Sequence, residues 1–151
     1  MTTSRSRKKL DNGHWDFTEQ LDFENAYGFI YLIKEKSTNC MYIGKKAFRS
    51  AAKKTKGSQS NWRSYTSSSK IINELIKEKG EDAFDFIVLE QYYSKGGFSW
   101  AETWSQVVVE VPSNNHIWYN RFIDKVTWKV TEPVTNRHKK RLQGVINGIS
   151  K

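Results

Sequence analysis

Two short runs rich in β-branched and aromatic residues, Phe29-Ile30-Tyr31-Leu32-Ile33 and Met41-Tyr42-Ile43, constrain this chain more than any other feature. They flank the polar segment Lys36-Ser37-Thr38-Asn39 and so read as a β-hairpin. Facing residues of an antiparallel pair share one side of the sheet, so register decides whether Tyr31 and Tyr42 meet. With the loop centred between Ser37 and Thr38, Tyr31 faces Gly44 and Ile33 faces Tyr42. Both phenols then lie on one side, with the glycine leaving space beside them. A one-residue bulge would separate them. By alternation alone the pair reads as ordinary aromatic packing.

A chain of 151 residues with 37% hydrophobic and 14% aromatic content is long enough for one domain with a core and short tails. No run has the apolar length of a membrane span, and the opening MTTSRSRKKL lacks the apolar stretch of a signal peptide, so a cytoplasmic location is expected. Cys40 is the sole cysteine, which excludes an internal disulfide and a cysteine-cluster zinc site, and the three histidines have no ligand spacing. The net charge of +9 is unevenly placed. Lys36 to Asn73 holds nine Lys or Arg and no acid, Glu74 to Asn120 holds three basic and eight acidic residues, and the tail from Arg121 is basic again. Clustered charge raises the local potential, so a polyanion would be steered to a face made by the first segment and the tail. Lys45, Arg49, Lys53 and Lys54 in the first, with Lys139, Lys140 and Arg141 in the second, are the candidate phosphate contacts. A solvated face is the plainer reading of the same charges.

Along the chain, a basic leader (Arg5 to Lys9) precedes Asp11 to Glu24, whose Trp15, Phe17, Leu21 and Phe23 suit an extra strand or short helix over a sheet edge. After the hairpin, Phe48, Ala51 and Ala52 have helical spacing, and Gly57 would end that helix. The loop Ser58 to Ser69 carries Trp62 and Tyr65 among polar residues, which suits a phosphate backbone and an unstacked base, or else anchors the loop to the domain. One of Ser67 to Ser69 caps a helix to Lys79 whose apolar face is Ile71, Ile72, Leu75 and Ile76, with Gly80 as its stop. Phe84 to Leu89 reads as a strand buried on both sides, completing a three-stranded sheet. Ser99-Trp100-Ala101-Glu102 has the form of a capping box opening a helix through about Val109. A short strand at Val126 to Val130 and the cluster Arg137-His138-Lys139-Lys140-Arg141 follow. The fold class is α+β: a small three-stranded antiparallel sheet flanked by helices, with basic terminal extensions.

Gly28-Phe29-Ile30-Tyr31 and Tyr42-Ile43-Gly44 give this chain a specific likeness. It resembles the GIY-YIG nuclease domain, whose two signature segments lie on neighbouring strands. The first segment matches with one inserted aromatic, the second letter for letter. The order of hairpin, basic segment, amphipathic helix, buried strand and glutamate-bearing helix fits that domain over Ala26 to Asn120, leaving 1–25, partly disordered, and 121–151 as extensions. Ser68-Ser69, Glu102 and Tyr119-Asn120 hold the places of the family's serine pair, glutamate and Tyr-Asn. Lys45-Lys46 after Gly44, and the Trp62 to Tyr65 pattern, look like the phage Seg-type homing endonucleases.

The resemblance implies a phage-encoded, Mg²⁺-dependent DNA endonuclease of the host cytoplasm. Glu102 would be the sole protein ligand of Mg²⁺ (or Mn²⁺), since substrate phosphate and water can complete the shell of a hard ion. Its structural competitor is the capping box. Tyr31 would be the general base and Tyr42 would orient the attacking water or a phosphate oxygen. A phenol of pKa ~10 must be shifted down by cations for that role, and Lys45 and Lys46 are the adjacent ones, Lys46 being counted with the catalytic residues. The family's phosphate-bracing arginine has no secure counterpart, and Arg63 is favoured over Arg49. Trp62, Tyr65, Ser68 and Asn120 join the substrate contacts. With one site per chain, a double-strand cut needs a homodimer on DNA or two visits. Two alternatives stand: a catalytically weak or inactive relative that binds nucleic acid, and an RNA-binding accessory protein whose aromatics stack bases.

Overall fold

The computed structural model describes residues 10–50, 57–123, 125, 126 and 128–149. Strands β1 (Gly28–Glu35), β2 (Met41–Ala47) and β3 (Phe84–Tyr92) form an antiparallel sheet in the order β2-β1-β3, with helices α1 (Lys70–Lys79), α2 (Lys95–Val108) and α3 (Asn136–Ile149) around it. This is the α+β arrangement expected. Central β1 is buried on both faces because a separate core packs against each. Phe29, Tyr31 and Ile33 point into one core with Trp62, Ile72 and Phe86, while Ile30 and Leu32 point into a second with Phe98, Ala101 and Leu142.

The hairpin register is the one that brings the tyrosines together: Tyr31 pairs with Gly44 and Ile33 with Tyr42. The register does shift on the β3 side, where Ile30 pairs with Glu90 and Tyr31 with Val88, but the extra residue, Leu89, belongs to β3 and the pairing of β1 with β2 runs unbroken. Both sheet edges are covered in part. Asp16 exchanges backbone hydrogen bonds with Phe86 and Val88 on the β3 side, and Trp15, Phe17 and Leu21 behind it are core residues. On the β2 side, Met41 bonds to Ile117 and Tyr119. Val134 and Leu142 join the second core, so the segments on either side of Ala26 to Asn120 pack into the same two cores.

Several expectations are corrected. β2 continues through Lys45-Lys46-Ala47, where a helix was expected to begin, because Ala47 still pairs with Gly28 and the chain then turns so that Arg49 bridges to Gln59. Ala51, Ala52, Lys53 and Lys54 lie outside the described residues, as does the leader. Helix α1 is capped by Ser69 as anticipated, its Oγ accepting from Ile72 N. Helix α2 begins four residues before Ser99: its cap is Ser94, whose Oγ accepts from Gly97 N, so Ser99 and Glu102 lie inside the helix and form no capping box. Glu132 reinforces that start by accepting from the backbone N–H groups of Tyr93 and Ser94, a carboxylate at the positive end of a helix. Its loop leaves no strand at Val126 to Val130 among the described residues.

The largest correction is the tail. Its cationic cluster is the first part of α3, which docks on β3 and α2. Arg137 forms ion pairs with buried Glu90 and with Glu19, and Arg141 Nε donates to Val88 O at 2.8 Å. These two arginines are therefore spent on the fold. Lys139 lies 5.7 Å above the Trp104 ring, and Lys140 is exposed. His138 is fully buried between two hydroxyls, with Nδ1 2.9 Å from Tyr92 Oη and Nε2 2.7 Å from Ser105 Oγ. Because Ser105 Oγ donates to Ala101 O, it accepts from Nε2–H, and Tyr92 Oη, which accepts from Thr135 N, can donate its proton to Nδ1 of a neutral imidazole.

Burial drops His138 from its usual 6.5 to about 4. The unfolded chain therefore takes up a proton that the folded one refuses. His138 should contribute its full stability above about pH 6.5 and lose it as pH falls towards 4, a change of about 3 kcal/mol. Glu35 and Glu90 are held below the usual carboxylate value by hydrogen-bond donors that outweigh burial, and His14 is also lowered by burial, so all three lose stability in the same direction as pH falls. Denaturant titrations between pH 7 and 4.5 should show a flatter pH dependence for His138→Gln than for wild type.

Candidate active site

Gly44 creates the site's central space. A Cβ there would run into the hydroxyl and Cζ of Tyr31, so only glycine lets that ring lie across β2. The Tyr31 and Tyr42 rings are stacked with centroids 6.3 Å apart, and Tyr65 meets Tyr31 edge-on at 6.1 Å. Tyr65 arrives by a short 3-10 turn, Trp62–Ser64, whose Trp62 is buried in the core. Lys46 Nζ sits 4.0 Å over the face of Tyr65. Ser68 hydrogen-bonds to the Tyr65 hydroxyl, and its neighbour Ser67 holds a positive φ of 83°, a conformation costly outside glycine. That geometry is held by Asn73 Nδ2 donating to Ser67 O and by Ser69 N donating to Ser67 Oγ.

The acid comes from the opposite face of the sheet. Glu102, on the second turn of α2, has a side chain only 5% exposed, with Oε1 3.6 Å from Lys45 Nζ. Lys45 also donates to Ser99 Oγ at 3.4 Å and lies over the Phe98 ring. The Glu102 charge still reaches Tyr31 and Tyr65, and it helps to raise both phenols.

This changes the expected electrostatics. Burial, reinforced by Tyr42, Tyr65 and Glu102, holds Tyr31 well above the ordinary phenol value. The two lysines do not pull it down: Lys45 is paired with Glu102, and Lys46, itself lowered by burial, faces the Tyr65 ring. Tyr31 is a neutral phenol at neutral pH.

Other expected site residues are dispersed. Trp62 is a core residue, its Nε1 donating to Gln59. Arg63 makes a two-pronged pair with Asp11, at 2.9 Å on each arm, bonds to Gln59, and lies over Phe23 and Trp62. Those contacts direct it to the N-terminal segment and away from the tyrosines. Asn120 is buried and reads the β2 edge: its Oδ1 accepts from Ile43 N at 3.0 Å and its Nδ2 donates to Ile43 O at 2.8 Å. It serves as a backbone partner for the edge strand and also lines the cavity beside Tyr42. Arg49, in contrast, shares a cavity of about 420 Å³ with Lys46, Ser60 and Asn61.

Two residues that border the site escaped the sequence reading. Gln106 and Arg121 line a cavity of about 310 Å³ with Tyr42 and Ser68. Gln106 stands four residues after Glu102, hence on the same helix face, and that spacing was available. Arg121 carried no signal beyond following Tyr119-Asn120.

The tyrosine pair across Gly44, with a buried glutamate beneath, accompanies a match of residues 13–123 to the GIY-YIG domain family of the endonuclease segE. The chain belongs to the GIY-YIG family. It is also similar to the "Intron-associated endonuclease 2" of Enterobacteria phage T4, at 25% identity over 134 residues and 89% of this chain. It spans about half of that relative's length (47%). No solved structure matches the chain at comparable significance. Within this GIY-YIG domain, Met41 to Ile43 is edged by 117–120 and Ala47 accepts from Ser60 Oγ, so the rim of β2 around Gly44 and Lys45 is the approach to the tyrosines.

Because the Gly44 constraint is steric, Gly44→Ala should destabilise the domain by ~1–3 kcal/mol, as overpacking does. In a double-mutant cycle with Tyr31→Ala the two losses should fall short of additivity by about 1 kcal/mol or more, since removing the ring removes the collision. Urea denaturation of the four proteins checks this, and strict additivity would place the Tyr31 ring elsewhere.

Proposed function

We propose that this protein is a DNA endonuclease that hydrolyses phosphodiester bonds with one divalent cation, Mg²⁺ or Mn²⁺, held by Glu102. The observation that carries the reading is the buried Glu102 carboxylate, facing a lysine and electrostatically coupled to Tyr31 and Tyr65. Among the described residues no group of three or more His, Cys, Asp or Glu stands together, so a fully protein-ligated metal does not fit, whereas a hard ion completed by phosphate and water does. Bound there, such an ion would supply positive charge for the leaving group and reverse the sign of the field that Glu102 imposes on Tyr31.

The chain's own residues then divide the remaining work. Tyr31 takes the proton of the attacking water, which requires its phenolate. Tyr42 orients that water or a phosphate oxygen from the stacked position. Lys46 and Arg49, lining one cavity, hold the phosphate, and Arg49 takes the bracing role that Arg63, tied to Asp11, is badly placed to fill. The clustered cations of Lys36 to Asn73 steer DNA to this rim. No helix among the described residues is long and apolar enough to cross a membrane, and we assign the protein to the cytoplasm of a phage-infected host. One active site per chain means that cutting both strands takes two chains or two visits. A second reading, a catalytically weak relative that only binds nucleic acid, draws support from the raised Tyr31 and the engaged Arg63.

Incubating plasmid with the pure protein in Mg²⁺ should nick or linearise it, and EDTA should stop this. Glu102→Ala should abolish cleavage while leaving duplex affinity within about twofold of wild type. Since Ser94 and Glu132 cap α2, the variant should stay folded, and full activity in it would exclude the metal role.

The raised Tyr31 also predicts a pH profile. If its phenolate is the base, the single-turnover rate should climb about tenfold per pH unit between pH 6 and 9, because the reactive fraction grows in that proportion below the pKa. Tyr31→Phe should be slow and flat, whereas Tyr42→Phe should be slowed less and keep the slope. A flat wild-type profile would remove Tyr31 as the base.

A further inference from the structure

The cavity beside Tyr42 has a composition that phosphodiester hydrolysis alone does not require. Its lining includes two cations, Lys70 and Arg121, and no carboxylate. Its rim carries Phe122, which is 72% exposed, and Ile71, which is 39% exposed. An aromatic face that open is unusual in a domain that otherwise buries its phenylalanines, and here it stands directly after a guanidinium. Among the described residues, Arg121 is braced through Nη1, which donates to the carbonyls of Trp118 and Tyr119, out of five N–H donors in the group. The floor is polar, with the Ser68 hydroxyl and the buried Gln106 amide. At about 310 Å³ the space is small, at the lower end of ligand sites.

A negative group, a flat apolar face and hydrogen-bonding edges are together the chemistry of a nucleotide. Double-stranded DNA presents its phosphates outward but keeps its base faces stacked, so an intact duplex could satisfy Lys70 and Arg121 and would leave Phe122 in water. A base released from its pair can satisfy all three. We propose that this cavity takes one unpaired nucleotide of the substrate strand, with Phe122 stacking on the base and Arg121 and Lys70 on its phosphate. The inference rests on the reading of the protein as a DNA endonuclease. Because Tyr42 belongs both to this cavity and to the stacked tyrosine pair, the captured nucleotide lies beside the reacting phosphodiester, and the protein should prefer DNA that is bulged, branched or locally melted there.

The test is equilibrium binding in EDTA, where no cleavage intervenes, of a labelled duplex and of the same duplex carrying one unpaired thymidine. Stacking on one aromatic is worth roughly tenfold or more in affinity, so wild type should bind the bulged duplex about tenfold more tightly. Phe122→Ala should bring the two affinities together without weakening the perfect duplex, and Phe122→Tyr should keep the preference. Equal binding of both duplexes by wild type, or a preference that survives in Phe122→Ala, would overturn the proposal. Cleavage of plasmid in Mg²⁺, measured alongside, separates this from the parent reading. An active nuclease with no bulge preference loses only the nucleotide cavity, whereas a protein that binds neither duplex loses both.

Discussion

The whole site hangs on one steric relation, the ring of Tyr31 lying across Gly44 on the neighbouring strand. The central strand must be buried on both faces for the domain to have two cores, and a polar tip on such a strand would ordinarily be a liability. Here the ring is carried over the glycine towards the rim of β2, where its hydroxyl meets Tyr65 and feels Glu102. The β1–β2 register that permits this runs unbroken, and Asn120 pairing with Ile43 holds its outer edge. A slip of one residue would turn the aromatic face of β1 into the other core.

Much of the protein's charge is engaged in holding its parts to the sheet. Glu35, buried at the end of β1, accepts from Thr38, Lys79 and Tyr119, which ties the hairpin, α1 and the edge segment to one carboxylate. Glu90 does the same for α3 through Arg137 and Thr135. Buried carboxylates demand such donors, because an ion left without them would be neutralised or expelled. Glu102, the proposed metal ligand, is likewise buried and paired, with Lys45 at 3.6 Å.

The same accounting explains why the net charge of +9 is a poor map of which cations the fold engages. Charge counted along the chain treats every lysine and arginine alike, yet Arg63, Arg137 and Arg141 are each bound to protein acceptors. Lys46, Arg49 and Lys70, from the basic segment, and Arg121, from the tail, border cavities instead, although Arg49 and Arg121 also donate to backbone carbonyls.

What the sequence determined by itself was local. The β-branched runs dictated the hairpin, a loop centred between Ser37 and Thr38 gave the Tyr31–Gly44 pair, one of Ser67 to Ser69 and Gly80 bounded α1, and the alternation in Phe84 to Leu89 marked a strand buried twice. These follow from periods and caps that a few neighbouring residues fully specify. What tertiary structure decided was every question of partnership across distance. Trp62 became a core residue because the two faces of β1 needed filling. Ser99 and Glu102 lost the look of a capping box because Ser94, assisted by Glu132 from a distant loop, starts α2 a turn earlier. The cationic tail became a docked helix because Glu90 and the Val88 carbonyl on β3 offer Arg137 and Arg141 better partners than solvent. The pKa of Tyr31 belongs to the same class: it is raised by burial and by neighbours from three other segments, and a phenol's environment is not written in the residues beside it.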